Sequence, residues 1–146
     1  MGITRGPFDL VARIDAKGSV HLIELGARIG FPRLIKLSLG LDIVSIAQRA
    51  MLGDYRHRLA KRRRFAGNYC INADRHGRYQ RIVNPDEMRA VPGVIDIPVF
   101  VQGGEKVSPP PLGNKYIGFV IAADDTYREV SEALEYVKNN MRLEIL

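Results

Sequence analysis

The apolar and polar positions near the start of the chain follow the pattern of a β-hairpin. Two apolar-rich runs, FDLVARI at residues 8–14 and VHLIEL at 20–25, flank the polar segment DAKGS at 15–19. Asp15 and Gly18 are residue types that favour a tight turn between strands. The pattern therefore predicts two antiparallel strands joined at 15–19.

Two short helices are predicted next, each by a start signal and a stop signal. Pro32 suits the first turn of a helix, the segment RLIKLSL follows it, and Gly40 ends the run. Asp42 can cap a second helix, IVSIAQRAML, which Gly53 ends. Five apolar residues of the second helix share one stripe: Ile43, Ile46, Ala47, Ala50 and Met51. That stripe is expected to face a core.

From Phe65 onward the pattern changes to strands with one helix. The runs NYCINA, RYQRIV, GVIDIPVFV and KYIGFVIAA predict four strands, and Pro98 predicts that the third bends or lies at a sheet edge. The polar, turn-rich connection before the fourth run predicts a surface loop. Thr126 and Glu129 form a capping box that opens a helix, and the final RLEIL can return as a strand. The order β-β-β-β-α-β predicts an α+β unit.

Composition indicates an ordinary globular protein. The chain has 146 residues with 46% hydrophobic content, which suffices for a core. No window approaches ~18 consecutive apolar residues, and the start MGITRGPF lacks the apolar core of a signal peptide, so a cytoplasmic location and no membrane partner are expected. Cys70 is the single cysteine, and the histidines at 21, 57 and 76 have no zinc-ligand spacing. Neither an internal disulfide nor a zinc site is expected.

The formal net charge of +6 comes from one segment, RHRLAKRRR at 56–64, because the remaining residues sum to zero. Its six cations are Arg56, Arg58, Lys61, Arg62, Arg63 and Arg64. One interpretation is a solvated linker between the two halves of the chain. The alternative is a nucleic-acid- or polyanion-binding module that contacts phosphates and stacks aromatic side chains on bases. The aromatic candidates are Tyr55, Phe65, Tyr69 and Tyr79.

Glu24 and Arg28 are opposite charges within the otherwise apolar or small segment IELGARIG at 23–30. If the strand continues that far, alternation places both charges on one face, about 13 Å apart along the backbone. That face would comprise Val20, Leu22, Glu24, Gly26 and Arg28. The missing side chain of Gly26 would let a ligand approach the backbone. The alternative is that the strand ends near Leu25 and Arg28 lies on a solvated loop.

These elements together resemble a known family. The first half, from GITRGPFDLVARIDAKGSVHLIELGARIG to LSLGLDIVSIAQRAMLG, looks like the last part of the catalytic core of ATP-grasp ligases, particularly L-amino-acid ligases and related carboxylate–amine ligases. The second half, including GFVIAADDTYREVSEAL, is similar to the small C-terminal subdomain of those enzymes. The resemblance implies an α+β fold. Residues 1–64 would be the C-terminal segment of the ATP-grasp core, a β-hairpin plus two helices, and residues 65–146 a small antiparallel-sheet α+β subdomain.

The resemblance also implies chemistry at the hairpin. Enzymes of this family phosphorylate a carboxylate with ATP and let an amine attack the acyl phosphate, releasing ADP and phosphate. By carry-over, Glu24 would ligate Mg²⁺, Gly26 would stand where the family often has a metal-binding asparagine, and Arg28 would bind the transferring phosphoryl group. The implied ligands of a complete enzyme are ATP, Mg²⁺, an amino acid or other carboxylate, and an amine.

The chain departs from the family pattern in ways that bear on activity. The family usually has another metal-ligating acid where this chain has Val11, and Asp9 is the nearby acid that could replace it. Phe31 stands where relatives commonly have a second glycine after Gly30. The segments that grip the nucleotide would precede this chain, so we expect a portion that is inactive alone and joins an upstream ATP-grasp half or a homo-oligomer. A non-catalytic interaction subunit is a further alternative.

Overall fold

The structure is a computed structural model that describes residues 6–54, 64–113 and 115–146. The chain divides into two compact units, residues 1–61 and residues 62–146, called below the first unit and the second unit.

The first unit is a two-stranded antiparallel ribbon followed by two helices. Its elements are β1 (Asp9–Ile14), β2 (Val20–Gly26), α1 (Pro32–Leu39) and α2 (Ile43–Met51). The Asp15 carboxylate holds the turn, because it accepts the backbone N–H groups of Lys17 and Ser19 and lies 3.1 Å from His21 Nε2. The bond to His21, and then the one to Ser19, lowers the pKa of Asp15. The predicted hairpin and both predicted helices are confirmed.

The two helices of the first unit begin and end at the residues that the sequence indicates. Pro32 occupies the first turn of α1, and Gly40 ends it with a φ of 72°, a left-handed conformation that glycine adopts without strain. The Asp42 carboxylate caps α2 by accepting the Ser45 N–H at 3.1 Å. These residues therefore mark where the two helices begin and end.

The first unit buries little of its own apolar surface. Among residues 6–54, Ala47 on α2 is the single buried residue, and Met51 of the predicted apolar stripe is 58% exposed. A two-stranded ribbon is marginally stable unless a larger sheet or a packed helix covers one of its faces. Residues 6–54 thus supply almost no core for their own ribbon.

The second unit contains two three-stranded antiparallel sheets and two helices. Its elements are β3 (Phe65–Ile71), β4 (Gly77–Ile82), α3 (Pro85–Arg89), β5 (Val94–Asp96), β6 (Lys106–Val107), β7 (Gly118–Asp124), α4 (Tyr127–Asn140) and β8 (Leu143–Ile145). One sheet has the order β3-β7-β5 and the other has the order β6-β4-β8. The predicted α+β class is confirmed.

The second unit has a continuous hydrophobic core, to which both sheets and both helices contribute. Its largest fully buried side chains are Ile71, Met88, Ile117, Val120 and Val137. This core makes the second unit the part of the chain whose stability is supported by its own packing.

Helix α4 begins with the predicted capping box and packs with an apolar face inward. Thr126 Oγ1 accepts the Glu129 N–H at 3.2 Å, and Glu129 Oε2 accepts the Thr126 N–H at 3.0 Å. Its buried residues are Val130, Ala133 and Val137. None of the helices in the described ranges is long and apolar enough to cross a membrane.

Three elements of the second unit differ from the predicted pattern. α3 is a five-residue helix that begins at Pro85 with acidic residues in its first turn, and five residues are too few to show a helical periodicity. β5 is a short edge strand that ends before Pro98, whose carbonyl accepts the Phe119 N–H at 3.0 Å. The edge position predicted from Pro98 is therefore confirmed. β6 is a two-residue strand inside the connection that was expected to be a loop.

Candidate functional site

A bulge in β2 changes which hairpin residues share a face. Pairing is regular up to Val11, which lies opposite Glu24, and then resumes one residue out of step, so Ile23 is an extra residue in β2. A bulge of this kind reverses the alternation of side chains beyond it. The prediction that Val20 and Leu22 share the face of Glu24 is therefore wrong. Strict alternation does not anticipate an extra residue in a strand, and position 23 carries an isoleucine rather than a glycine or proline that would mark a bulge.

The ribbon has one polar face and one apolar face, because side chains directly opposite each other project to the same side. The polar face comprises the pairs Asp9–Gly26, Val11–Glu24 and Arg13–His21, and the apolar face comprises Leu10–Leu25, Ala12–Leu22 and Ile14–Val20. Five of the six apolar-face side chains are exposed, by 49% to 68%. Glu24 is exposed as well, and its carboxylate makes no hydrogen bond or ion pair with any residue in the described ranges. The polar face therefore presents a free carboxylate.

Arg28 follows β2 rather than continuing it. The strand ends at Gly26, and the Arg28 N–H donates to the Gly26 carbonyl at 2.9 Å, closing a three-residue turn. The side chain folds back over Gly26, where an added Cβ would lie 3.2 Å from Arg28 Nε. The guanidinium thereby returns to the polar face, with Nη2 3.4 Å from Asp9 Oδ2. The strand does not continue to Arg28, which agrees with the alternative interpretation of a strand that ends near Leu25 and an Arg28 on a loop. The guanidinium still lies on the Glu24 side of the ribbon.

Asp9 fits against the backbone at Gly30. A Cβ at position 30 would lie 2.7–2.8 Å from the atoms of the Asp9 carboxyl group, so a side chain there would force that carboxyl group to move. The Asp9 side chain is 22% exposed, whereas that of Arg28 is 62% exposed. Sequence reasoning missed the contact between these two residues, because it depends on the turn after Gly26 and no motif marks that turn.

An open, mostly apolar cavity of about 490 Å³ lies beside Asp9 in the first unit. Apolar side chains from α1 and α2, including Ile35 and Ile46, line it together with Phe8 and Leu10, and Asp9 is the charged residue among the described lining. Leu10 also belongs to the apolar face of the ribbon. Leu10 therefore contributes both to the lining of the cavity and to the apolar face of the ribbon.

The polar face offers two carboxylates to a magnesium ion, those of Asp9 and Glu24. The described ranges contain no group of three or more histidine, cysteine, aspartate or glutamate side chains placed to hold a metal. Mg²⁺ is usually held by one or two carboxylates, with substrate phosphates and water completing its shell. Glu24 fits such a site because it is exposed and has no partner among the described residues, whereas Asp9 is engaged by Arg28. Val11 occupies the position opposite Glu24 where a second carboxylate would be its direct neighbour.

The basic segment lies outside the described ranges except for Arg64. Its guanidinium donates to the Ala123 carbonyl at 3.0 Å and lies 3.7 Å from Asp124 and 3.6 Å from Asp125. Arg64 therefore has a structural role within the second unit, and the predictions for residues 56–63 concern residues that the structure does not describe.

Three of the aromatic residues considered for base stacking have contacts within the second unit. Tyr79 is 4% exposed, and burial raises its pKa. Burial also raises the pKa of the half-buried Tyr69, and Phe65 packs edge to face against Tyr127 with ring centroids 6.3 Å apart. Tyr79 is therefore too buried to stack on a base, and Tyr55 lies outside the described residues. This arrangement does not favour the nucleic-acid alternative.

Solved structures that share this fold are ATP-grasp ligases. The crystal structure of L-amino acid ligase from Bacillus licheniformis matches 99% of this chain, with a TM-score of 0.84 and 25% identity. The biotin carboxylase domain of Hydrogenobacter thermophilus 2-oxoglutarate carboxylase, crystallised with MgADP, ADP and bicarbonate, matches 94% of the chain with a TM-score of 0.67. At 17% identity the second match shows the fold alone. The predicted fold, the C-terminal part of an ATP-grasp ligase, is confirmed.

Sequence comparison then gives the family. Residues 70–145 match the model of the L-amino acid ligase C-terminal domain 2, and the chain belongs to that family. The protein y4rH of Sinorhizobium fredii is 26% identical over 125 residues, which cover 84% of this chain. The chain spans 26% of that relative, 37% of the Bacillus ligase and 32% of the carboxylase domain.

Proposed function

We propose that this chain supplies the C-terminal portion of an ADP-forming carboxylate–amine ligase that works through an acyl phosphate. The observation that carries the proposal is the match of 99% of the chain to an L-amino acid ligase at 25% identity. Residues 1–64 would be the C-terminal segment of the catalytic core, and residues 65–146 the C-terminal subdomain. The position of Glu24 and Arg28 on one face of the hairpin supports this assignment.

Glu24 is the proposed magnesium ligand. Its exposed carboxylate is free to meet a cation that arrives with a nucleotide, and such an ion needs only one or two protein carboxylates. When bound, Mg²⁺ would neutralise charge on the ATP phosphates. The prediction that Asp9 replaces the acid missing at Val11 would require the Asp9 carboxylate to leave Arg28, 3.4 Å away.

Arg28 is the proposed ligand of the phosphoryl group in transfer. Its guanidinium is a planar fork with five N–H donors, which suits two oxygens of a phosphoryl group at once. Because the side chain is 62% exposed, donors beyond those facing Asp9 remain open to a ligand. Gly26 contributes by lacking a side chain, since an added Cβ would press on the Arg28 side chain at 3.2 Å.

The nucleotide-binding groups are proposed to come from a further polypeptide segment that covers the apolar face. Two observations support this step: the chain spans 37% of the Bacillus ligase, and five apolar side chains on that face are exposed by at least 49%. The assembled enzyme would bind ATP, Mg²⁺, an amino acid or other carboxylate, and an amine, and would act in the cytoplasm. The chain alone is expected to be inactive.

A chimeric ligase tests this proposal. The part of the Bacillus ligase equivalent to this chain is replaced by residues 1–146, and ADP release is measured with ATP, Mg²⁺ and pairs of amino acids. We expect amino-acid-dependent ADP release. Glu24→Gln should abolish it, because a metal ligand loses its charge, and Arg28→Lys should lower it severely, because an ammonium cannot reproduce the planar fork.

Arg13→Gln is the matched control, because Arg13 lies on the same polar face and makes no ion pair within the described ranges. It removes a charge without removing a proposed ligand, so ADP release should persist. A folded, ATP-binding chimera that releases no ADP would contradict the proposal. So would a Glu24→Gln variant as active as the parent chimera.

A further inference from the structure

We propose that Asp9 is the positioning residue of Arg28, holding the guanidinium over Gly26 so that its outer N–H groups face an incoming oxyanion. The identity of that oxyanion, a phosphate or acyl phosphate, rests on the proposed function. The contact between Asp9 and Arg28 does not depend on it. The inference also gives Asp9 a role other than that of a metal ligand.

Three features together fix the path of the Arg28 side chain. The bond from its N–H to the Gly26 carbonyl, 2.9 Å long, turns the backbone. The bare backbone of Gly26 gives the side chain a surface to lie on, with Nε, Cγ and Cδ at 3.2, 3.5 and 3.7 Å from where a Cβ would be. Asp9 Oδ2 then meets Nη2 at 3.4 Å at the far end. Asp9 is the sole charged group among these contacts.

Asp9 and Arg28 differ in exposure, which indicates which residue holds the other in place. The Asp9 side chain is 22% exposed and lies in the space left by Gly30, where any Cβ would approach its carboxyl atoms within 2.8 Å. Arg28 is 62% exposed and projects from a turn. The carboxylate is therefore held by the fold, and the guanidinium is held by the carboxylate.

Two opposing effects decide whether this arrangement favours an oxyanion. A carboxylate about 6 Å from a bound anion in a water-like medium weakens binding by roughly threefold. Freezing a free arginine side chain weakens binding by up to about thirtyfold, and prior ordering by an exposed ion pair can recover at most about fivefold of that loss. Ordering is the larger effect at that limit, so Asp9→Asn should weaken oxyanion binding by up to about twofold. A purely electrostatic neighbour would give the opposite sign.

The test uses the full chain labelled with ¹⁵N-arginine. The motion of each Nε–H group is measured by NMR, and inorganic phosphate is titrated as the probe. In the unmodified chain, the Arg28 Nε–H should be more ordered than that of Arg13, which lies on the same face and has no ion-pair partner among the described residues. Asp9→Asn should reduce its order to the Arg13 level and weaken phosphate binding. Gly30→Ala should do the same, because it displaces the carboxylate without removing its charge.

Asp15→Asn is the matched control, since Asp15 is an acid of the same hairpin that pairs with His21 instead. It should leave the order of Arg28 and its phosphate affinity unchanged. The proposal is overturned if Arg28 is as mobile as Arg13 in the unmodified chain. It is also overturned if Asp9→Asn strengthens phosphate binding about threefold, or if either variant at 9 or 30 loses the β1–β2 amide signals.

A metal-ligand role for Asp9 gives a different result. Mn²⁺, a paramagnetic substitute for Mg²⁺, would then broaden the Asp9 amide signal, and Asp9→Asn would abolish the effect while Arg28 stayed ordered. That outcome would also overturn the proposal. ADP release by the chimera plays no part in this test, so an inactive chimera would contradict the proposed function while leaving the role of Asp9 to the NMR result.

Discussion

Replacing Val11 by glutamate should place a second carboxylate beside Glu24 and let the polar face bind Mg²⁺ without a nucleotide. Val11 lies directly opposite Glu24 on the polar face. Side chains in that relation have Cβ atoms about 4.5–5.5 Å apart. Two carboxylates at that separation can both reach one cation. The variant therefore asks whether the position of Glu24 is suited to metal binding.

Without metal, Val11→Glu should destabilise the ribbon. Two like charges about 5 Å apart in a water-like medium repel by roughly 0.8 kcal/mol. The loss of a β-branched residue from a strand adds up to about 1 kcal/mol. Val11 is 42% exposed, so little buried apolar area is lost. The expected cost is therefore about 1–2 kcal/mol, large enough to speed amide exchange in a marginal hairpin.

Binding of Mg²⁺ should restore most of the hairpin stability that Val11→Glu loses. For a site with a dissociation constant of about 1 mM, 10 mM Mg²⁺ stabilises the bound state by roughly 1.4 kcal/mol. The assay is amide hydrogen exchange of β1 and β2 in the full chain, with and without 10 mM Mg²⁺. We expect slower exchange on adding Mg²⁺ to Val11→Glu and little change in the unmodified chain.

Two variants make this result decisive. The glutamine of Val11→Gln has nearly the same shape as the glutamate of Val11→Glu but carries no charge, so this variant should show no response to Mg²⁺. The double change Val11→Glu with Glu24→Gln should lose most of the response, since one of the two carboxylates is neutralised. If Val11→Gln responds as Val11→Glu does, or if the response survives the change at Glu24, the metal-ligand geometry assigned to Glu24 is refuted.

Three further predictions concern stability. Arg64→Gln should destabilise the second unit by about 1 kcal/mol in urea unfolding, because it loses the bond to the Ala123 carbonyl. An unaltered unfolding midpoint would count against this role of Arg64. Thr126→Ala should cost about 1 kcal/mol through loss of the α4 cap, with Thr126→Ser as the conservative control; equal midpoints for the two would be inconsistent with capping. Amides of residues 69–146 should exchange more slowly than those of 6–30, and uniform slow exchange in a demonstrated monomer would disprove this.

Interactions between residues close in the sequence made much of the fold predictable. The Asp15 turn, the Asp42 cap and the Thr126 capping box are each formed by residues a few positions apart, and each is present where the pattern indicates it. The short helix at Pro85 was missed because five residues carry no periodic signal. The edge strand β5 followed from Pro98, since proline cannot donate to a sheet.

The candidate site was predictable in its residues but not in its geometry. Glu24 could be singled out because a charge in an apolar strand is unusual, and the structure leaves it exposed. The bulge at Ile23 and the turn after Gly26 have no sequence signal, and together they set the faces and the path of Arg28. The contact between Asp9 and Arg28 follows from that turn. The catalytic roles of these residues are still predictions.

The fit of Asp9 against Gly30 limits how this sequence can change over evolutionary time. A side chain at position 30 and an aspartate at position 9, in the conformation seen here, compete for the same space, because a Cβ would lie 2.7 Å from the carboxyl carbon. The two positions should therefore vary together among homologues. Lineages that keep the acid at 9 should keep glycine at 30, whereas lineages with a smaller residue at 9 are free to accept alanine or serine there. Glycine at position 30 would then be conserved because of the Asp9 side chain, since the backbone conformation at position 30 does not itself require glycine.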